Sequence, residues 1–277
     1  MTAKLQKFID HAPGDVPLVC LTAYTAPMAK SLAPYVDLLL VGDSVGTVLY
    51  GMENTTGVTL DMMIAHGRAV MRSAPNAPVI IDMPYGTYEE SAAVALTNAR
   101  HIIEEIGADG VKLEGGHDMR MQISAITGAG IPVMGHIGLQ PQSVEKEGGY
   151  KIKGKTEEQI QNLIHDAKAI EEAGVFAFVL EGTIASAAHE ISTATNVPCI
   201  GIGASEQCDG QILVSEDMLG LHHGHRPKFV HEYSVLRDNI ATAARSYAQD
   251  VRSRAFPRDE NLYQGQKQLI QKQKIAS

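Results

Sequence analysis

The sequence predicts a single (β/α)8 TIM barrel with N- and C-terminal extensions, and three observations predict it. Short apolar runs recur along the 277 residues, each followed by a glycine or polar break and then a helix-like stretch. The runs are continuously apolar rather than alternating, as in Asp37-Leu-Leu-Leu-Val-Gly42 and Val175-Phe-Ala-Phe-Val-Leu180. That is how parallel strands covered on both faces read. Eight such units with helices between them favour closure over an open sheet. The competing fold, a doubly wound sheet, usually carries a glycine fingerprint after its first strand, and Leu18–Thr25 has none.

Taken in order, strands are expected at Leu18–Ala23, Asp37–Gly42, Val79–Met83, Gly110–Glu114, Ile131–His136, Val175–Glu181 and Val197–Gly203, with a weaker eighth at Leu219–His225. Pro132 and Pro198 stand near the starts of their runs, where a missing N–H costs a strand least. Apolar residues near a 3.6 period predict helices over Asp61–Ser73, Glu89–Ile106 and Glu157–Ala173. Thr156 before two glutamates marks a helix start, and Gly107 and Gly174 stand where helices end. Ser234–Arg252 reads as a further helix, broken by Pro257. The barrel is expected over residues 1–257, followed by a polar tail over 258–277 rich in Gln and Lys.

Composition narrows the function. A net charge of −9 repels phosphate backbones, and the absence of tryptophan leaves few base-stacking surfaces, so a nucleic-acid partner is not expected. No apolar run approaches the ~20 residues of a membrane span, and the N-terminus lacks a secretory h-region. Cys20, Cys199 and Cys208 form no metal-ligand spacing and read as buried reduced thiols. The expectation is a soluble cytoplasmic protein.

In such barrels the chemistry sits at the C-terminal ends of the strands. Four strand ends carry a carboxylate there: Asp43, Asp82, Glu114 and Glu181. Crowded acids repel unless a cation compensates, and hard oxygen ligands with open positions suit Mg²⁺. Asp43, Asp82 and Glu114 are the candidate metal ligands, although Asp43 and Asp82 also read as helix N-caps. Lys112 and Glu114 are two residues apart and share a strand face, as a plain ion pair or with Lys112 as the cation for a substrate carboxylate. Ser44 could bind the same carboxylate. His136, at another strand end, reads as a structural hydrogen-bonder or a catalytic group. The group His222, His223 and His225 lacks the spacing of a helical zinc motif.

Several ordered motifs between Thr22 and Phe229 resemble the ketopantoate (3-methyl-2-oxobutanoate) hydroxymethyltransferase family. They include Thr22-Ala-Tyr24, Leu40-Val-Gly-Asp-Ser44, Val111-Lys-Leu-Glu-Gly-Gly116, Gly135-His-Ile-Gly-Leu139, Pro141-Gln-Ser143, Gly148-Gly-Tyr-Lys151 and Asp209-Gly-Gln-Ile-Leu213. The resemblance implies Mg²⁺, 5,10-methylenetetrahydrofolate as one-carbon donor, 3-methyl-2-oxobutanoate as substrate, and a homo-oligomer, decameric in some bacterial members. Carried over by motif, Asp43 and Asp82 correspond to the metal-binding pair and to substrate contacts. Glu114 corresponds to part of the metal site, Ser44 and Lys112 to the holders of the keto acid carboxylate, and Glu181 to the proton acceptor. The chain departs from the family at Thr25, where Asp is usual, and at Gly182, often Cys or Ser. A barrel lyase or mutase of the phosphoenolpyruvate mutase type is the alternative enzyme. Such enzymes commonly carry a reactive loop cysteine, and none closely follows Lys112–Gly116. A non-catalytic metabolite-binding barrel is the alternative of another class, and Glu181, a base candidate separate from the metal and anion groups, argues against it.

Overall fold

Eight parallel strands close on themselves in sequence order in the computed structural model, which describes residues 3–222 and 226–263. They are β1 (Leu18–Thr22), β2 (Leu38–Val41), β3 (Val79–Asp82), β4 (Gly110–Lys112), β5 (Val133–Gly138), β6 (Ala177–Glu181), β7 (Cys199–Ile202) and β8 (Gly210–Leu213). The ring closes where β1 pairs with β8, Leu18 opposite Gly210 and Leu21 opposite Leu213. Six of the first seven strands lie within the predicted runs, and β5 continues two residues beyond the predicted end at His136, to Gly138. The eighth does not: β8 is Gly210–Leu213, and Leu219–Gly220 forms a turn, with His223 and His225 outside the described residues. The connection from β7 to β8 is only residues 203–209 and contains no helix, so the helix-spaced pattern used for the other units had no counterpart there.

Alternation sorts each strand's side chains into two layers. Leu18, Cys20, Leu38, Leu40, Ile80 and Met134 pack inside the barrel. Leu39, Val41, Ile81, Val111 and Leu113 face the helices. The N-terminal extension plugs the barrel's lower end: Leu5 and Phe8 are fully buried with the inner layer, and the Phe8 ring meets Phe176 edge-on at 5.7 Å. Lys4 pairs with Asp109 at 3.2 Å and Lys7 pairs with Asp37, fastening the plug to the strand starts.

Helix starts follow side-chain capping. Thr25, Thr59, Ser91 and Thr156 accept N–H bonds from Met28, Met62, Val94 and Gln159. Thr25 supplies this oxygen acceptor where the resembling family usually has Asp. The observed helices Leu60–Ser73, Ala92–Ile106 and Glu157–Glu172 match expectation to within a turn, and Gly107 ends the second at φ +72°, a conformation glycine adopts without strain. The three cysteines are free and buried. No helix among the described residues is long and apolar enough to cross a membrane.

The chain separates into two compact units. The barrel unit holds the described residues of 1–218 and 222–231. In the other, residues 219–221 receive the start of the helix Leu236–Ser253: Leu236 N–H donates to the Leu219 carbonyl at 2.9 Å, and the Arg237 guanidinium joins the Gly220 carbonyl to Glu232. Residues 264–277 of the expected tail lie outside the described residues.

One backbone position ties fold to site. Gly138 ends β5 at φ +91°, opposite Glu181 on β6, and a Cβ there would stand 2.4 Å from the Glu181 carbonyl oxygen. Gly138→Ala is expected to cost about 3 kcal/mol, from left-handed strain plus overpacking, and to lower the melting temperature by roughly 5–10 °C. Thermal denaturation checks this; an unchanged melting temperature would show that the strand end relaxes freely.

Candidate active site

All six predicted site residues stand at the C-terminal mouth of the barrel. β2 delivers Asp43 and Ser44, β3 Asp82, β4 Lys112 and, two residues on, Glu114, and β6 Glu181. Strand register sets the pairing. Asp82 lies opposite Lys112 across the β3–β4 pair, and Lys112 Nζ donates to Asp82 Oδ1 at 2.7 Å and Oδ2 at 2.8 Å. The ion pair of Lys112 is therefore with Asp82, not with Glu114. Two of its three N–H groups are engaged there, which leaves one for a ligand. The pair is dry, with side-chain exposures of 4% and 1%. Asp82 Oδ2 also accepts the Asp43 backbone N–H at 3.2 Å.

Asp43 caps no helix with its side chain. The next short helix begins after Ser44 without a side-chain cap, and Asp43 Oδ2 instead accepts from Gln142 Nε2 at 3.1 Å. Gln142, buried in the turn after β5, is the organising residue that sequence reasoning missed. Its Nε2 also donates to the Met83 carbonyl at 3.1 Å, its Oε1 accepts from the Tyr88 hydroxyl at 2.6 Å, and its backbone N–H donates to Glu114 Oε2 at 3.1 Å. The motif Pro141-Gln-Ser143 was the available signal. Tyr24 was missed likewise: its hydroxyl shares a 2.7 Å hydrogen bond with Ser44 Oγ.

His136, on β5, stands between two acids. Its Nδ1 is 3.4 Å from Glu114 Oε1 and its Nε2 is 3.3 Å from Glu181 Oε2. Burial and Lys112 lower the pKa of the imidazole, but Glu114 and Glu181 outweigh them and raise it to about 9. The ring is thus held as a cation between carboxylates. Burial pushes Glu114 up, against His136 and Lys112. Burial also pushes Asp82 up, to about 7, against the Lys112 ammonium. Lys112 would be lowered by burial, yet Asp82, Glu114 and Asp43 keep it protonated. Glu181 differs from the other acids in being 17% exposed on its side chain, so it alone combines a buried partner with access to the mouth.

A divalent cation fits this donor set. Asp43 and Asp82 are hard oxygen donors on adjacent strands, and the burial that raises Asp82 in spite of Lys112 is what a dication would relieve further. Among the described residues no three His, Cys, Asp or Glu side chains converge as a ready-made metal group. Mg²⁺ commonly uses one or two carboxylates and keeps several waters, so a two-carboxylate set is compatible with it.

Comparisons with known proteins bear on the family and the fold. The family described as ketopantoate hydroxymethyltransferase matches residues 2–259. A 3-methyl-2-oxobutanoate hydroxymethyltransferase of Mesorhizobium japonicum is 58% identical over 261 residues, spanning 94% of this chain and 91% of that protein. Its counterpart in Rhizobium etli is 54% identical over 255 residues, spanning 92% and 93%. Among solved structures, a phosphonopyruvate hydrolase in complex with oxalate and Mg²⁺ aligns with a TM-score of 0.62 at 13% identity, covering 99% of this chain and 96% of that one. A 2,3-dimethylmalate lyase of the PEP mutase/isocitrate lyase superfamily gives 0.58 at 16% identity, covering all of both chains. Those structural likenesses speak to the barrel alone, whereas the sequence matches span nearly the whole chain: this protein belongs to the ketopantoate hydroxymethyltransferase family.

Proposed function

We propose that the enzyme transfers a hydroxymethyl group to 3-methyl-2-oxobutanoate, giving 2-dehydropantoate. The donor is 5,10-methylenetetrahydrofolate, and one water supplies the hydroxyl oxygen as tetrahydrofolate is released. The observation that carries this reading is Glu181, an accessible carboxylate held by His136 and set across the mouth from the buried Asp43, Asp82 and Lys112 group.

Asp43 and Asp82 would hold Mg²⁺, which when bound supplies Lewis-acid withdrawal of charge from the substrate carbonyl. Lys112 offers its remaining N–H, and Ser44 its hydroxyl, to the substrate carboxylate. Tyr24 fixes the Ser44 rotamer through its hydrogen bond. Glu114 stands behind this group, locked by the Gln142 N–H and facing His136. Glu181 removes the proton from C3 of the keto acid. The carbon so released as an enolate attacks the one-carbon unit of the donor, forming the C–C bond.

Product formation from keto acid and methylenetetrahydrofolate tests the reading directly. EDTA is expected to abolish turnover, and excess Mg²⁺ to restore it. Full activity in EDTA-treated protein stripped of divalent ions would reject the metal's role.

A further inference from the structure

The loop that follows β5 borders the mouth of the barrel. Residues 144–154 leave the Gln142 turn through the short helix Val144–Glu147 and cross to the edge of the mouth beside the base. At one end Asn54 Nδ2 donates to Glu145 Oε1 at 2.6 Å, tying the loop to the segment that follows Asp43 and Ser44. At the other, Lys153 N–H donates to the Gly182 carbonyl at 2.8 Å, and Ile184 N–H donates to the Lys153 carbonyl at 3.1 Å, immediately after Glu181. The loop thus runs from the Asp43 side of the mouth to the Glu181 side.

Gly148 and Gly149, at φ +71° and +116°, turn the backbone just before Tyr150. Tyr150 is 64% exposed. Partial burial raises its phenol pKa, and Glu181, Asp43 and Glu114 raise it further, so the ring stands within the field of the site's own acids. The neighbouring aromatic residues are engaged elsewhere. Lys146 covers the Tyr85 ring at 5.1 Å, Tyr24 and Tyr88 are buried in the network below, and Tyr50 is bonded to His66. The same segment carries Lys146, Lys151, Lys153 and Lys155, a local cationic stretch in a chain of net charge −9.

We propose that Tyr150 is the stacking surface for the pteridine ring of the one-carbon donor, with the lysine-rich stretch 146–155 on the side of its anionic glutamyl tail. This assignment rests on the folate-dependent reading given above. A flat heteroaromatic donor must lie against the keto acid carbon that Glu181 deprotonates, and an exposed tyrosine at that edge presents the π-face on which such a ring stacks. Gly149 before it and the anchored Lys153 after it hold the ring at the edge of the mouth.

The test compares wild type, Tyr150→Ala and Tyr150→Phe in the full-length protein. Three quantities are read: KM for methylenetetrahydrofolate, KM for the keto acid, and the rate of C3 deuterium exchange with Mg²⁺ and no folate. Tyr150→Ala is expected to raise the donor KM roughly 10-fold or more, the scale of losing one stacked ring. Keto acid KM and exchange should stay within about 2-fold of wild type, and Tyr150→Phe should bind the donor nearly normally. An unchanged donor KM in Tyr150→Ala overturns the assignment. So does a parallel loss of exchange and keto acid affinity, which would make the ring a structural prop for the loop. A wild-type protein that exchanges C3–H yet forms no product with the folate donor overturns the functional reading itself, and that is seen before any variant is made.

Discussion

Glu181→Gln is expected to lower turnover and C3 deuterium exchange by about 10³-fold or more while leaving keto acid affinity nearly intact. Positioned general bases contribute on the order of 10²–10⁴-fold, and among the acids of the mouth Glu181 is the one placed to take the proton. Asp43, Asp82 and Glu114 are buried and engaged by Gln142, Lys112 or His136, whereas Glu181 is the acid with an open flank. Glutamine keeps the size and leaves a carbonyl oxygen beside His136, whose Nε2 is 3.3 Å from Glu181 Oε2, but has no basic oxygen. Loss of the C3–H NMR signal in D₂O reads the chemical step without any folate, and calorimetric titration with the keto acid in Mg²⁺ reads binding. The separation of the two readouts is the informative part. A fall in binding as large as the fall in exchange would place Glu181 in the substrate-binding set. Exchange at the wild-type rate would remove it as the base.

The fold was legible where physics leaves a strong local trace. A strand buried on both faces has to be apolar throughout, so β2 through Leu38–Val41 and β6 through Ala177–Glu181 were plain in the sequence. β8 was not, because Gly210–Leu213 carries the exposed Gln211 within its run and follows β7 without a helix. The apolar Leu219–Leu221 offered a better-looking run for a purely local reading. The site divides the same way. A charge at the end of an apolar run is conspicuous, and Asp43, Asp82, Lys112, Glu114 and Glu181 announced themselves by that contrast. Gln142 and Tyr88 did not, since a glutamine or tyrosine in a loop is ordinary. Their importance lies in contacts across 54 and 99 positions of sequence, from Tyr88 and Asp43 to Gln142. The partner of Lys112 was equally hidden. Sequence spacing put Glu114 nearest, and only the β3–β4 register put Asp82 opposite.

Asp82→Ala is expected to weaken metal and keto acid binding together and also to destabilise the fold, and the two effects have separate causes. Lys112 is 4% exposed on its side chain, with both of its 2.7–2.8 Å hydrogen bonds going to Asp82. Removing one partner of a buried ion pair strands the other charge and typically costs about 3–5 kcal/mol. Adding Lys112→Met removes the stranded ammonium and fills its space with an apolar chain, so the double variant is expected to recover most of the lost stability. It should not recover the metal, because the carboxylate that complements Asp43 is still missing. Chemical denaturation gives the stabilities, and Mn²⁺ titration followed by electron paramagnetic resonance gives the metal affinity. If the double variant regained both, the metal defect would be a consequence of local collapse around Lys112. If Asp82→Ala bound Mn²⁺ as tightly as wild type, Asp82 would be no ligand, and its role would reduce to holding Lys112 for the substrate carboxylate. A stability gain without a metal gain is the result that assigns Asp82 both functions, neutralising a buried cation on one side and presenting an oxygen to a bound one on the other.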